Sequence, residues 1–204
     1  MASLTSVTLD VADPVAAEQF YATAFGLGPE LRVRASEAPS TGFRGFTLSL
    51  TVSQPSTVDA LVDSALAAGA SPVKPVKKSL WGYGGVVQAP DGTLWKIATS
   101  AKKDKGPATR QIDRLVLLLG AEDVLASKRF YVDRGFTVGK SFGRKYVEFE
   151  LPSSPVTLAL YGRRALAKDA GVPPDGTGSH RIVLTGDSGP FADPDGFEWE
   201  KAPH

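Results

Sequence analysis

Trp81 and Tyr83 stand on a glycine-rich stretch, Trp81-Gly82-Tyr83-Gly84-Gly85, where missing side chains let a ligand or another backbone come close. Aromatic faces presented there would stack on a planar organic molecule. Glu148 and Glu200 are carboxylates that would serve proton transfer: one such group in a dry pocket, its pKa raised by desolvation, is enough for a general base. His180 is the single internal histidine, and its readings stay open between a hydrogen-bonded structural residue, a polar pocket contact and a ligand to a metal. The chain has no cysteine, which removes disulfides, thiolate nucleophiles and thiolate metal sites. No Gly-x-Ser-x-Gly elbow supports a hydrolase. Gly82, Gly84 and Gly85 lack the context of a phosphate-binding loop. Asp91 and Asp195 read as turn residues, and Lys77-Lys78 and Arg163-Arg164 as solvated surface charge.

The elements that must position these residues follow from periodicity. Leu4, Val7, Leu9 and Val11 alternate as in a half-buried strand. Asp13-Pro14 then starts a helix over Val15 to Phe25, with Ala17, Phe20, Tyr21 and Ala24 on one stripe and Gly26 ending it. Strands are predicted near Glu30 to Arg34, Phe43 to Val52, Val73 to Lys78, Val86 to Ala89 and Leu94 to Ala98, with a helix over Val58 to Ala68. The second half gives strands at Leu115 to Leu119, Phe136 to Ser141, Tyr146 to Leu151, Val156 to Tyr161, Ile182 to Thr185 and Phe197 to Glu200, and a helix over Asp123 to Asp133.

Two landmarks recur in the same order. Pro90-Asp91-Gly92-Thr93-Leu94-Trp95 matches Pro194-Asp195-Gly196-Phe197-Glu198-Trp199, and the helix holding Phe20-Tyr21 matches the one holding Phe130-Tyr131. With the tyrosines superimposed, Asp13 falls on Asp123 without a gap. Ordered repetition means one module present twice. The division is residues 1–100 and 111–204, joined by a polar, basic linker at 101–110. Thr185 to Pro190 stands where the first half carries the Val58 to Ala68 helix, so the second module is shortened.

The 204 residues are 42% apolar and 22% charged, ordinary for a globular protein. A net charge of +1 supplies no field towards nucleic acid or an anionic membrane. No apolar run nears the roughly 20 residues that span a bilayer. Met1 to Leu9 shows no export signal, and the expectation is a soluble cytoplasmic protein, monomer or homodimer, with a small molecule as its partner.

The order of these motifs resembles the vicinal oxygen chelate superfamily: glyoxalase I, bleomycin-resistance proteins and extradiol dioxygenases. The resemblance rests on Asp13 to Tyr21 with Gly26, Trp81 to Gly85 with the Pro90 to Trp95 turn, and their partners Asp123 to Tyr131 and Pro194 to Trp199. It implies an α+β fold in which two tandem βαβββ modules curl mixed sheets around a cup-shaped pocket. Catalytic members hold a divalent metal with ligands from a first strand, a middle strand and the end of the Pro-Asp-Gly hairpin. Those positions fall on Ser6, Arg44 and Lys96 in one half, and on Val116, His180 and Glu200 in the other. The first set offers no ligand for a cation. The second offers two, with Glu148 or Glu150 as a third only if that strand faces inward. The resemblance therefore implies a protein without a cofactor, binding a small, possibly aromatic or antibiotic-like molecule through Arg44, Phe46, Trp81, Tyr83, Tyr146, Tyr161, His180 and Glu200. The alternative is one divalent metal ion on His180 and Glu200, serving a lyase, isomerase or dioxygenase.

Overall fold

The computed structural model describes residues 2–80 and 82–202. In chain order the elements are β1 (Ser6–Val11), α1 (Pro14–Ala24), β2 (Leu31–Ala35), β3 (Ser40–Gly42), β4 (Phe46–Thr51), α2 (Pro55–Ala67), β5 (Ser71–Ser79), β6 (Gly82–Gln88) and β7 (Leu94–Thr99). They continue with β8 (Arg114–Ala121), α3 (Val124–Asp133), β9 (Thr137–Ser141), β10 (Tyr146–Glu150), β11 (Val156–Gly162), α4 (Arg163–Ala170), β12 (Gly176–Gly178), β13 (Ile182–Gly186), β14 (Phe191–Ala192) and β15 (Glu198–Lys201).

The helix starts follow their side-chain chemistry. Asp13 Oδ1 accepts from the Ala16 amide at 3.0 Å, and Asp123 Oδ1 accepts from Leu125 and Ala126 at 2.9 and 3.2 Å. Both are aspartate N-caps that satisfy otherwise orphaned amides. α1 buries Ala17, Phe20, Tyr21 and Ala24, the stripe its spacing predicts. α2 begins at Pro55, a turn earlier than the apolar period suggests, because a proline fits the first helical position and Asp104 caps it from outside, accepting from the Ser56 amide at 2.7 Å. Asp104 belongs to the stretch 101–110, which carries no helix or strand yet is tied down: Gln54 holds its backbone at three points, and Arg110 donates to the last carbonyls of α1.

Three sheets form, curled and open, as the α+β expectation requires. The largest runs β5-β6-β7-β4-β8-β11-β10-β9, a second runs β14-β15-β13-β1-β2, and β12-β3 make a short ribbon. The two halves exchange strands: β4 pairs antiparallel with β8, and β1 pairs antiparallel with β13. The complete strand-helix-three-strand units are β4-α2-β5-β6-β7 and β8-α3-β9-β10-β11, both in the order first-fourth-third-second, and together they build the eight-stranded sheet. β1-α1-β2 and β13-β14-β15 are reduced units that build the smaller one. Among the described residues the first half has no counterpart of β10, β11 and α4, and the second has no counterpart of α2 and β5.

One apolar core joins the two sheets. It takes Val7, Leu9 and Leu184 from the small sheet, Leu48, Leu117 and Leu158 from the large one, and Phe20, Leu61 and Tyr131 from α1, α2 and α3. α4 is not in that core. It packs on β4, β8 and β11, where Leu166, Ala167 and Ala170 meet Phe43, Val86 and Leu94 in a separate small cluster.

Candidate functional site

The repeated landmarks work in pairs that cross between sheets. Tyr21, on the helix after β1, donates to Asp91 Oδ2 in the β6–β7 turn at 2.5 Å. Tyr131, on the helix after β8, donates to Asp193 Oδ2 beside the β14–β15 turn at 2.8 Å. Each helix thus hangs on the hairpin of the other sheet. Arg44 and His180 hold the same two turns by their backbones. Arg44 Nη2 donates to the Asp91 carbonyl at 2.6 Å, and His180 Nε2 lies 3.0 Å from the Asp195 carbonyl. His180 Nδ1 lies 2.6 Å from the Arg44 carbonyl, and its ring stacks on Phe197 at 4.1 Å. Neither residue lies on a strand. Both precede one, at a kink where Gly45 and Arg181 adopt φ 85° and 55°.

The eight-stranded sheet has a face turned away from α2 and α3. Across its middle the register aligns Val86, Lys96, Ser49, Val116 and Thr157. α4 lies over that face. Lys96 Nζ reaches Asp169 Oδ2 at 2.6 Å, and Lys74 Nζ donates to the Asp169 carbonyl at 2.7 Å. At one rim a cavity of about 300 Å³ is lined by Phe43, Arg44, Phe46, Leu94, Val172 and Thr93 among others. Burial lowers the pKa of the Arg44 guanidinium and Arg181 adds to this, against the nearby Asp91 carboxylate. At the far side, Glu148 accepts from Arg114 at 3.0 Å and from the Tyr146 hydroxyl at 2.9 Å, with Lys140 at 3.4 Å.

No family model and no curated protein matches the sequence. Solved structures do. Glyoxalase I from Zea mays superposes with a TM-score of 0.61 at 14% identity, over 98% of this chain and 91% of that one. Its V278E variant gives 0.62 at 14%, over 98% and 92%. A putative dioxygenase from Bacillus subtilis subsp. subtilis str. 168 gives 0.53 at 11%, over 90% of this chain and 69% of that one.

The chain has the vicinal oxygen chelate fold.

In that fold the strand exchange regroups the positions at which a metal is expected. Ser6 shares a row with Thr185 and Glu200 in the small sheet, and Val116 shares one with Ser49 and Lys96 in the large sheet. The large-sheet row has no anionic oxygen and no imidazole, and it carries an ammonium, so a cation does not fit it. The small-sheet row has one carboxylate, Glu200, which already accepts from Arg34 at 3.1 Å. The Ser6 hydroxyl beside it is buried without a partner among the described residues, but a neutral hydroxyl and one shared carboxylate do not make a three-ligand site. His180 is in neither row, and each of its ring nitrogens faces a carbonyl oxygen. Among the described residues no cluster of three His, Cys, Asp or Glu side chains is placed to hold a metal ion.

The other expected site residues are dispersed over the fold. Arg44 and Phe46 share the 300 Å³ cavity. Tyr146 and Tyr161 meet edge to face at 6.0 Å on the sheet face that α4 covers. Tyr83 turns to the helix side, donating to Asp59 of α2 at 2.8 Å. Trp81 lies outside the described residues. Glu200 belongs to the small sheet and His180 to its hairpin. Arg163 is not surface charge: it donates to the Phe43 carbonyl at 3.0 Å and lies over the Phe43 ring. Sequence reasoning does not find Lys74 and Asp169. The only signal for them is the spacing Leu166, Ala167, Ala170 before Gly171, two turns of helix with a glycine cap. No helix among the described residues is long and apolar enough to cross a membrane.

Proposed function

We propose that this protein is a metal-free binder of a small, partly aromatic organic anion, taken up at the rim cavity between Phe43, Phe46, Leu94, Val172 and Arg44. The supporting observation is that cavity: about 300 Å³, mostly apolar, with the Arg44 guanidinium at its wall and Asp175 as a lining carboxylate, which disfavours an anion on its own side. Small-molecule sites have this composition and begin at about this size. Arg44 spends one donor on the Asp91 carbonyl, and the planar fork carries five, so donors remain for a carboxylate. The ring of Phe43 and the side chains of Leu94 and Val172 supply the faces against which a planar molecule packs. A lyase, isomerase or dioxygenase of the metal-dependent kind needs a ligand set that neither row of this chain offers.

Calorimetric titration with 1-naphthoate and a panel of related planar carboxylates tests this reading. Arg44→Met is expected to weaken binding by about tenfold to a hundredfold, the value of a charge-assisted hydrogen bond of roughly 1.5–3 kcal/mol. Absence of binding by every planar carboxylate to the wild type would end the proposal. So would stoichiometric zinc, nickel, manganese or iron in protein purified without a tag.

A further inference from the structure

On the sheet face that α4 covers, a lysine is paired with a carboxylate carried by α4 itself. Asp169 Oδ2 sits 2.6 Å from Lys96 Nζ, and the same residue's carbonyl takes Lys74 Nζ at 2.7 Å. Beside the pair lies a cavity of about 150 Å³ lined by Lys74, Lys77, Lys96 and Thr99, with Asp169 as its single carboxylate among the described residues. Three lysines thus line a cavity with one carboxylate, towards the β5 edge of the sheet.

The element that delivers Asp169 is short, and it has a polar anchor at its start, where Arg163 donates to the Phe43 carbonyl at 3.0 Å. α4 is 8 residues long, well below the roughly 12–15 at which a helix persists alone in water, so its helicity depends on docking. Its apolar grip is Leu166, Ala167 and Ala170 on a small cluster apart from the main core. Gly162 precedes it and Gly171, at φ 85°, follows it, so both ends carry residues suited to a change of backbone direction. The Lys96–Asp169 pair is more than a third exposed on both sides, which keeps its contribution small.

We propose that Lys96 and Lys74 form a carboxylate-binding site on the cup floor, that Asp169 is its built-in occupant, and that an aliphatic carboxylate binds there by displacing α4. The site's chemistry is read from its resident: an acid group against the Lys96 ammonium, with the Lys74 ammonium on the adjoining backbone carbonyl, close enough to turn to an incoming carboxylate. This deepens the reading of the protein as a binder and places a second site behind the rim cavity.

Hexanoate is the probe, with hexanamide as the uncharged control, measured by calorimetry together with amide hydrogen exchange of residues 163–171. Hexanoate should bind the wild type and speed exchange in α4, while hexanamide should do neither. Asp169→Asn removes the competing charge and should tighten hexanoate binding by up to about fivefold, the value of a partly exposed ion pair. Leu166→Ala removes the main apolar anchor and should tighten it by at least about tenfold. Lys96→Met should abolish binding, and its circular dichroism checks that the fold is kept; Lys96→Arg should restore it. Equal hexanoate affinity in the wild type, Asp169→Asn and Leu166→Ala would overturn the proposal, as would unchanged exchange in α4 or no hexanoate binding at all. If that happens while 1-naphthoate still binds in an Arg44-dependent way, the floor site falls and the rim reading stands. Hexanoate binding that opens α4 with no naphthoate binding gives the reverse.

Discussion

Glu148 and Asp193 are carboxyls that respond to pH in opposite directions, and the cause lies in their neighbours. Burial pushes the Glu148 carboxyl up, but the Tyr146 hydroxyl, Arg114 and Lys140 outweigh it and hold the group below its usual range. Such a group contributes stability above its unfolded pKa and loses it as pH falls through the folded value. It is also a weak general base, because the partners that lower its pKa reduce its affinity for a proton. Burial raises the Asp193 carboxyl, helped by Asp195 and opposed by the Phe197 amide and the Tyr131 hydroxyl. The folded state then keeps that proton longer than the unfolded one, so the contribution is best below the ordinary aspartate range, about pH 4, and is lost as pH rises through the folded value. Urea unfolding from pH 3 to 8 should show Glu148→Gln removing part of the loss on the acid side, and Asp193→Asn removing part of the loss above about pH 4. His180 gives a residue-scale expectation of another kind. It bridges two carbonyls and stacks on Phe197. His180→Ala should lower the unfolding free energy by about 2 kcal/mol, from the lost hydrogen bond to one of the two carbonyls and a cavity beside Phe197, while metal content stays unchanged. A variant as stable as the wild type would remove the clamp role.

At the scale of elements, what is legible in the sequence is whatever a side chain dictates locally. The aspartate caps, the apolar stripe of α1, the Pro-Asp-Gly hairpins and the alternation of β1 and β4 all depend on near neighbours, so they appear in the period and in turn chemistry. The segment 163–170 is illegible for a physical reason. Its apolar residues do fall on one side, but it spans only two turns and two of its three buried positions are alanines, so the pattern is too short to separate a helix from a loop. The ribbon of β3 and β12 is equally hidden, since three residues a side leave no pattern. Its glycines do show why that ribbon is specific. Gly42 has φ 68°, and a Cβ there would come within 2.3 Å of the Asp175 carbonyl oxygen. Gly42→Ala should therefore cost about 2–4 kcal/mol, combining the left-handed penalty with a clash against backbone that has nowhere to move. Thermal denaturation checks it. Gly135→Ala, also at positive φ (85°) but with open space around it, should cost about 1 kcal/mol. Equal losses would refute the clash.

At the scale of the whole molecule, the partners of the strands are beyond the reach of periodicity. Alternation shows which side chains share a face, not which strand lies alongside. The landmarks therefore establish a doubled chain, while the candidate ligand positions group within halves, as Ser6 with Lys96 and Val116 with Glu200. The hydrogen-bond register groups them the other way, because β1 lies beside β13 and β8 beside β4. The same exchange makes each half dependent on the other. The β4–β8 ladder runs through six residue pairs from Phe46↔Leu119 to Thr51↔Arg114, and severing it would expose Leu48, Leu50, Leu115 and Leu117 along two strand edges. Tyr21 and Tyr131 meanwhile tie each helix to a hairpin of the opposite sheet. Residues 1–110 alone should lack cooperative unfolding and aggregate, since an uncovered apolar strand edge pairs with whatever it meets. The same holds for residues 111–204. Co-expressed as two chains, they should purify as a one-to-one complex with the circular dichroism spectrum of the intact protein. A first half that unfolds cooperatively on its own would show that the eight-stranded sheet is two independent units in contact, rather than one sheet built jointly by both.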